Sequence, residues 1–199
     1  ERLVREEHRS RMLLLCHVGR FLRMRGEFVK ARECFTQVLE HLPRHSPSVQ
    51  LDAQLELALT CLATQDEAAA RASLQTLAAF PVPSVQGHLG RTFLARRPDD
   101  PVPEPPDPGQ ECPWLRRPDY FFYMGEFALL AGRRPEAVRA FRRALIESVS
   151  PYRQAPWLAV LRLKELGENL PKSAPDFPPL VRKRGSGSGA RQAVKSAEK

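Results

Sequence analysis

The chain has 199 residues, 42% of them apolar, enough for one domain with a substantial core or for an extended array of small units. No apolar run approaches the roughly eighteen residues of a membrane span, "MLLLCHV" at 12–18 being far shorter, and the charged start shows no leader-like pattern. The net charge of +8 sits at the two ends, +4 over residues 1–25 and +5 over 171–199, leaving 26–170 near neutral, which argues against the continuous basic face of a nucleic-acid binder.

Taken in order, the elements read as helices. Apolar residues at Leu3, Val4, Met12, Leu15, Val18 and Leu22 recur at helical spacing through residues 1–25, and Gly26 interrupts them. A second helix is expected from about Phe28 to Leu42. Pro43 and Pro47 bracket a turn, with Ser46 or Ser48 to cap a third helix at 48–64. A fourth spans 66–79, opened by Asp66. Residues 81–118 hold ten of the nineteen prolines and are expected to be a long inserted loop, in which only "GHLGRTFLA" (Gly87–Ala95) can dock a short piece. Three more helices follow at Pro118–Leu130, Pro135–Val149 and Pro151–Gly167, each opened by a proline suited to a first turn. No stretch alternates as a strand does. The expected class is all-α, with about seven helices.

"GEFVKARECFTQVL" (Gly26–Leu39) and "GRRPEAVRAFRRAL" (Gly132–Leu145) agree at Gly, Ala, Phe and Leu. Upstream, Leu15, Val18, Gly19 and Leu22 match Phe121, Met124, Gly125 and Ala128. Between the two copies, Ala70 and Leu74 repeat the Ala-x3-Phe spacing, and Leu57 and Ala58 take the place of the earlier pair. This pattern resembles the tetratricopeptide repeat, over residues 12–167, as three copies with 151–167 as a terminal cap. Copies two and three are spread apart by the Pro-rich insertion. The glycines allow close helix approach and tight turns, and Phe35 and Phe141 fill the space between successive helix pairs.

The resemblance implies a helical-repeat solenoid over residues 1–170 that acts as a non-enzymatic protein-interaction scaffold. In such a scaffold the first helix of each pair lines a concave groove that takes a short peptide. The implied groove residues are Leu13, Cys16, His17, Arg20 and Arg23, then Asp52, Leu55, Glu56 and Leu59, then Asp119, Phe122, Tyr123 and Glu126. The partner-binding set drawn from them is His17, Arg20, Arg23, Asp52, Glu56, Asp119, Phe122, Tyr123 and Glu126. Its acids predict a basic peptide as partner. Some family members clamp a C-terminal carboxylate with Lys and Asn; the corresponding places hold Cys16, Arg20 and Leu59, so that function is not carried over.

Nothing in the sequence points to catalysis or a cofactor. There is no P-loop, GxSxG, HExxH or GxGxxG, and the five histidines form no cluster. Cys16, Cys34 and Cys61 fall within apolar helical patterns and read as small hydrophobes. No cysteine pair has zinc-site spacing, and the set suits a reducing, cytoplasmic or nuclear, setting. The chain closes on a basic tail (171–184), a "GSGSG" linker (185–189) and "ARQAVKSAEK" (190–199). That arrangement reads as an engineered fusion in which 190–199 is a tethered partner peptide anchored by Arg191, Val194 and Lys195; a native low-complexity tail is the alternative. From a different functional class, the alternative is an RNA-binding helical repeat using the basic first helix and the tail.

Overall fold

The computed structural model describes residues 2–41, 47–81, 84–95, 117–147 and 154–170, with the side chains of residues 2–5, 117 and 154 left out. These residues form eight helices and no strand: α1 (Arg2–Met24), α2 (Phe28–His41), α3 (Pro47–Ala63), α4 (Glu67–Ala78), α5 (Val85–Ala95), α6 (Arg117–Leu130), α7 (Arg134–Ile146) and α8 (Gln154–Glu165). The all-α expectation holds. The expected turn at Pro43, the tail 171–184, the linker 185–189 and the segment 190–199 lie outside the described residues.

Three helix pairs arise from one local device. α1, α3 and α6 each end in a residue of positive φ, Gly26 (80°), Gln65 (60°) and Gly132 (73°). At each end two backbone bonds close the turn. Gly26 N–H donates to Arg23 O (3.0 Å) and Glu27 N–H to Leu22 O (2.9 Å). Gly132 N–H donates to Leu129 O (3.0 Å) and Arg133 N–H to Ala128 O (2.8 Å). Gln65 and Asp66 repeat the pattern onto Leu62 O (3.1 Å) and Cys61 O (2.9 Å). The left-handed residue caps orphan carbonyls and folds the next helix back, so α1 packs on α2, α3 on α4 and α6 on α7. Asp66 caps α4 as expected, its Oδ1 accepting from Ala69 N–H at 3.1 Å.

α8 ends in the same way. Gly167 has φ 70°, its N–H donates to Lys164 O (3.0 Å), and Glu168 N–H donates to Leu163 O (2.8 Å). The segment expected to be a plain terminal cap is thus closed like the first helix of a pair. These first helices also touch one another in order, α1 on α3, α3 on α6 and α6 on α8.

The pairs are pinned by contacts that only glycine permits. A Cβ on Gly19 would lie 2.8 Å from Phe35 Cε1, and one on Gly125 only 2.5 Å from Phe141 Cε1. Phe35 and Phe141 are fully buried, so neither ring can yield. A small cluster of Cys16, Ala31, Phe35, Val38, Val49 and Ala53 joins the first three helices. A larger core surrounds α6, whose residues Tyr120–Ala128 are all buried.

The inserted region departs from expectation at α5. Residues 85–95 form a full helix, where the sequence suggested a loop with at most a short docked piece. Gly87 and Gly90 are the seat of this helix: a Cβ on Gly90 would meet Leu77 Cβ at 2.8 Å and Leu74 O at 2.9 Å. Ser84 Oγ accepts from Gly87 N–H at 3.0 Å and closes its first turn. Residues 96–116, with most of the insertion's prolines, lie outside the described residues.

Candidate functional site

The first helices meet around a buried network of charge. α1 supplies Arg20 and Arg23, α3 Glu56, α6 Tyr123 and Glu126, and α8 Arg162. Arg20 Nε donates to Glu56 Oε1 at 2.5 Å, and Arg23 Nε to Glu56 Oε2 at 2.8 Å. Tyr123 Oη donates to Glu56 Oε1 and accepts from Arg20 Nη2, both at 3.0 Å. Arg23 Nη1 donates to Glu126 Oε2. Arg162 grips Glu126 from the other side with two bonds, Nε to Oε1 at 2.7 Å and Nη2 to Oε2 at 3.0 Å. Its Nη1 reaches Glu165 Oε2 at 2.8 Å and Met24 O, at the end of α1, at 3.3 Å. The Nη2 of Arg23 is buried with no hydrogen-bond partner among the described residues.

The reason lies in helix register. Arg20 and Glu126 each stand six residues before their helix's positive-φ end, while Glu56, Tyr123 and His17 stand nine before. These positions are about a turn apart on one helical face, so stacking the helices brings them to one line. A carboxylate at that depth persists only if paired and hydrogen-bonded. Burial alone would raise the Glu56 carboxyl, but the charges of Arg23 and Arg20 outweigh it and hold it down at about 2. Burial likewise works against ionised Glu126, and Arg23 and Arg162 overcome it, keeping its pKa below the usual carboxylate range. Burial pushes the Tyr123 hydroxyl well up, against the pull of Arg20, so it stays protonated.

The placement differs from that of an open groove. Arg20, Arg23, Glu56, Phe122, Tyr123 and Glu126 were expected to face a partner; they are buried. All four oxygens of Glu56 and Glu126 already accept from arginine, so an incoming basic side chain would have to displace an internal guanidinium. Phe122 packs beside Phe141, ring centroids 5.9 Å apart. Three of the expected residues keep partial exposure: His17, Asp52 and Asp119. Asp52 Oδ1 accepts from Gln86 Nε2 of α5 at 2.6 Å, and burial raises its pKa. Burial, then the charge of Arg20, lowers that of His17. Arg191, Val194 and Lys195 lie outside the described residues.

Sequence reasoning passed over Arg162 and Gln86. Arg162 stands five residues before Gly167, and that glycine was the available signal that α8 ends in the same left-handed turn as the other first helices. Gln86 lies within the stretch read as loop.

Within the network Arg20, Arg23 and Arg162 hold the two carboxylates ionised, and burial keeps the tyrosine neutral. Burial pushes the Cys16 thiol up to about 12. Among the described residues no cluster of His, Cys, Asp and Glu could hold a metal ion, and no helix is long and apolar enough to cross a membrane. The arrangement fixes the angles between α1, α3, α6 and α8. No protein-family model matches the chain, and no curated protein or solved structure matches it.

Proposed function

We infer that the chain is a non-enzymatic interaction scaffold of the tetratricopeptide type, whose first helices form a concave face that receives a short basic peptide. The observation that carries this reading is the shared register of α1, α3, α6 and α8. All four end in the same left-handed turn, and their facing side chains are tied in one ionic network. A stack with a preset curvature presents a binding surface at little ordering cost. The reading narrows the contact residues. With Glu56 and Glu126 neutralised internally, the partly exposed acids of these helices are Asp52, which also accepts from Gln86, and Asp119.

The test is calorimetric. The full chain carrying Arg191→Ala, Val194→Ala and Lys195→Ala, which silence its own tail, is titrated with the peptide "ARQAVKSAEK". Binding is expected, and Asp52→Lys or Asp119→Lys weakens it several-fold, since each partly exposed pair is worth about 0–1 kcal/mol. Absence of binding at about millimolar peptide, or affinity undiminished in both charge-reversed variants, overturns the basic-peptide assignment.

A further inference from the structure

The outer face of α1 carries a stripe that its counterparts bury. Leu14, Val18 and Phe21 are 63%, 42% and 55% exposed. They stand twelve, eight and five residues before Gly26. The same places before Gln65 are Ala53, Leu57 and Thr60 in α3, and Ala53 and Leu57 pack into one cluster with Ala31, Phe35 and Val38 of α2. Before Gly132 they are Tyr120, Met124 and Phe127 in α6, all buried, with Phe127 stacked on Phe93 of α5. Before Gly167 they are Ala155 and Ala159 in α8, both buried, and Arg162, which donates to Glu126 of α6. In each later first helix this face meets an earlier helix. In α1 it is apolar, in register, and open.

We propose that the Leu14–Val18–Phe21 face is a docking surface for one amphipathic helix of a partner protein, seated as α2 seats on α3 and carrying acidic residues beyond each end of its apolar ridge. The charge requirement comes from what brackets the stripe. Exposed Arg11 lies a turn before Leu14, and exposed Arg25 a turn after Phe21, its guanidinium 5.7 Å from the Phe21 ring centroid. Glu7 lies a further turn out. Arg25 also reaches Glu27 at 3.5 Å, a solvent-screened contact that leaves it able to attract an acid. The same bracket disfavours a second copy of this chain. Antiparallel pairing about Val18 would set Arg11 against Arg25 of the other copy, because both lie seven residues from it. Like charges there oppose association. Leu14, Val18 and Phe21 take no part in the ionic network, and this surface does not depend on the basic-peptide reading.

The probe is a hydrocarbon-stapled helix carrying the Ala31, Phe35, Val38 and Leu39 ridge of α2, with glutamates one turn beyond each end; a twin carries lysines there. Fluorescence anisotropy on the full chain should show saturable binding of the acidic probe and at least about tenfold weaker binding of its twin. Leu14→Glu and Val18→Glu, at exposed positions, should leave the melting temperature unchanged and weaken the acidic probe at least about tenfold. Arg11→Glu with Arg25→Glu should invert the preference between the two probes. No saturable binding of the acidic probe, indifference to Leu14→Glu and Val18→Glu, or no inversion overturns the proposal. So does a dimer in light scattering that Val18→Glu dissolves, or binding that appears only once residues 171–199 are removed, since then a second copy or the chain's own tail covers the face.

Discussion

Glu56→Gln isolates the ionic network in one atom change of nearly equal volume. In the wild type, Glu56 accepts from Arg20 at 2.5 Å, Arg23 at 2.8 Å and Tyr123 at 3.0 Å, with no exposure to water. Its carboxyl titrates at about 2 rather than 4.5. At ~1.4 kcal/mol per unit, that difference is worth ~3 kcal/mol of folding stability at neutral pH. Removing one partner of a buried pair costs ~3–5 kcal/mol by a separate route, and the two figures agree. The sign follows from the depressed folded pKa. The stability is fully present above pH 4.5 and is lost as pH falls through that value toward about 2. Urea unfolding followed by helical circular dichroism, stepped from about pH 7 to about pH 2, reads both quantities. Several carboxylates of depressed pKa, Glu126 among them, steepen the acid limb in both proteins, and Glu56→Gln should take up one proton fewer than the wild type, a difference in slope of ~1.4 kcal/mol per pH unit. A loss under ~1 kcal/mol at neutral pH, or an equally steep acid limb in the variant, would refute the network's energetic role.

Three further outcomes follow from packing and backbone geometry. Gly125→Ala should be more destabilising than Gly19→Ala, because the new methyl lies 2.5 Å from the Phe141 ring rather than 2.8 Å from that of Phe35. Overpacking of ~1–3 kcal/mol exceeds the ~1 kcal/mol that alanine gains in helix propensity, and adding Phe141→Leu to Gly125→Ala should return part of the loss in the same urea assay. Phe35→Ala and Phe141→Ala should each cost ~3–5 kcal/mol, and a loss under ~1 kcal/mol at both would remove their role between helix pairs. Gln65→Gly should raise Tm, relieving a left-handed residue by ~0.5–1 kcal/mol, whereas Gly26→Ala and Gly132→Ala should lower it by a similar amount; a lower Tm for Gln65→Gly contradicts this account of the turn.

The legible part of the fold was the part written in short-range terms. Helical spacing marked seven of the eight described helices, and Gly26 and Gly132 marked two turns with left-handed ends. The third such turn was hidden because Gln65 adopts that conformation without being glycine. α5 was hidden because Gly87 and Gly90 signal a break locally but serve a close approach to α4, which only the packed structure reveals. At the site, spacing grouped Arg20, Arg23, Glu56, Tyr123 and Glu126 on the first helices, and the structure brings them together. Their burial was not legible, since the same charges on one face suit an open groove until Arg162 arrives from α8 to neutralise Glu126. Opposite charges separated by 33 to 103 residues carry no local sign that they will pair.

The ionic network also bears on how the molecule comes apart. Stacked helix pairs with only neighbour contacts unzip from their ends, one unit at a time, and fold by growth from any local nucleus. Here Arg162 of α8 holds both Glu126 and the carbonyl of Met24, 138 residues earlier in the chain. Lifting α8 away would strip Glu126 of two donors and leave Arg23 as its remaining guanidinium contact, deep in an interior that tolerates unbalanced charge poorly. Detachment of the last helix is therefore coupled to the first, and terminal fraying is replaced by a single concerted transition. That contact spans 138 residues, so it forms only after much of the chain is arranged, and it slows refolding while raising cooperativity. Amide exchange in α1 and α8 should then approach the protection of α6, rather than the graded decline toward the ends that an untied array would show.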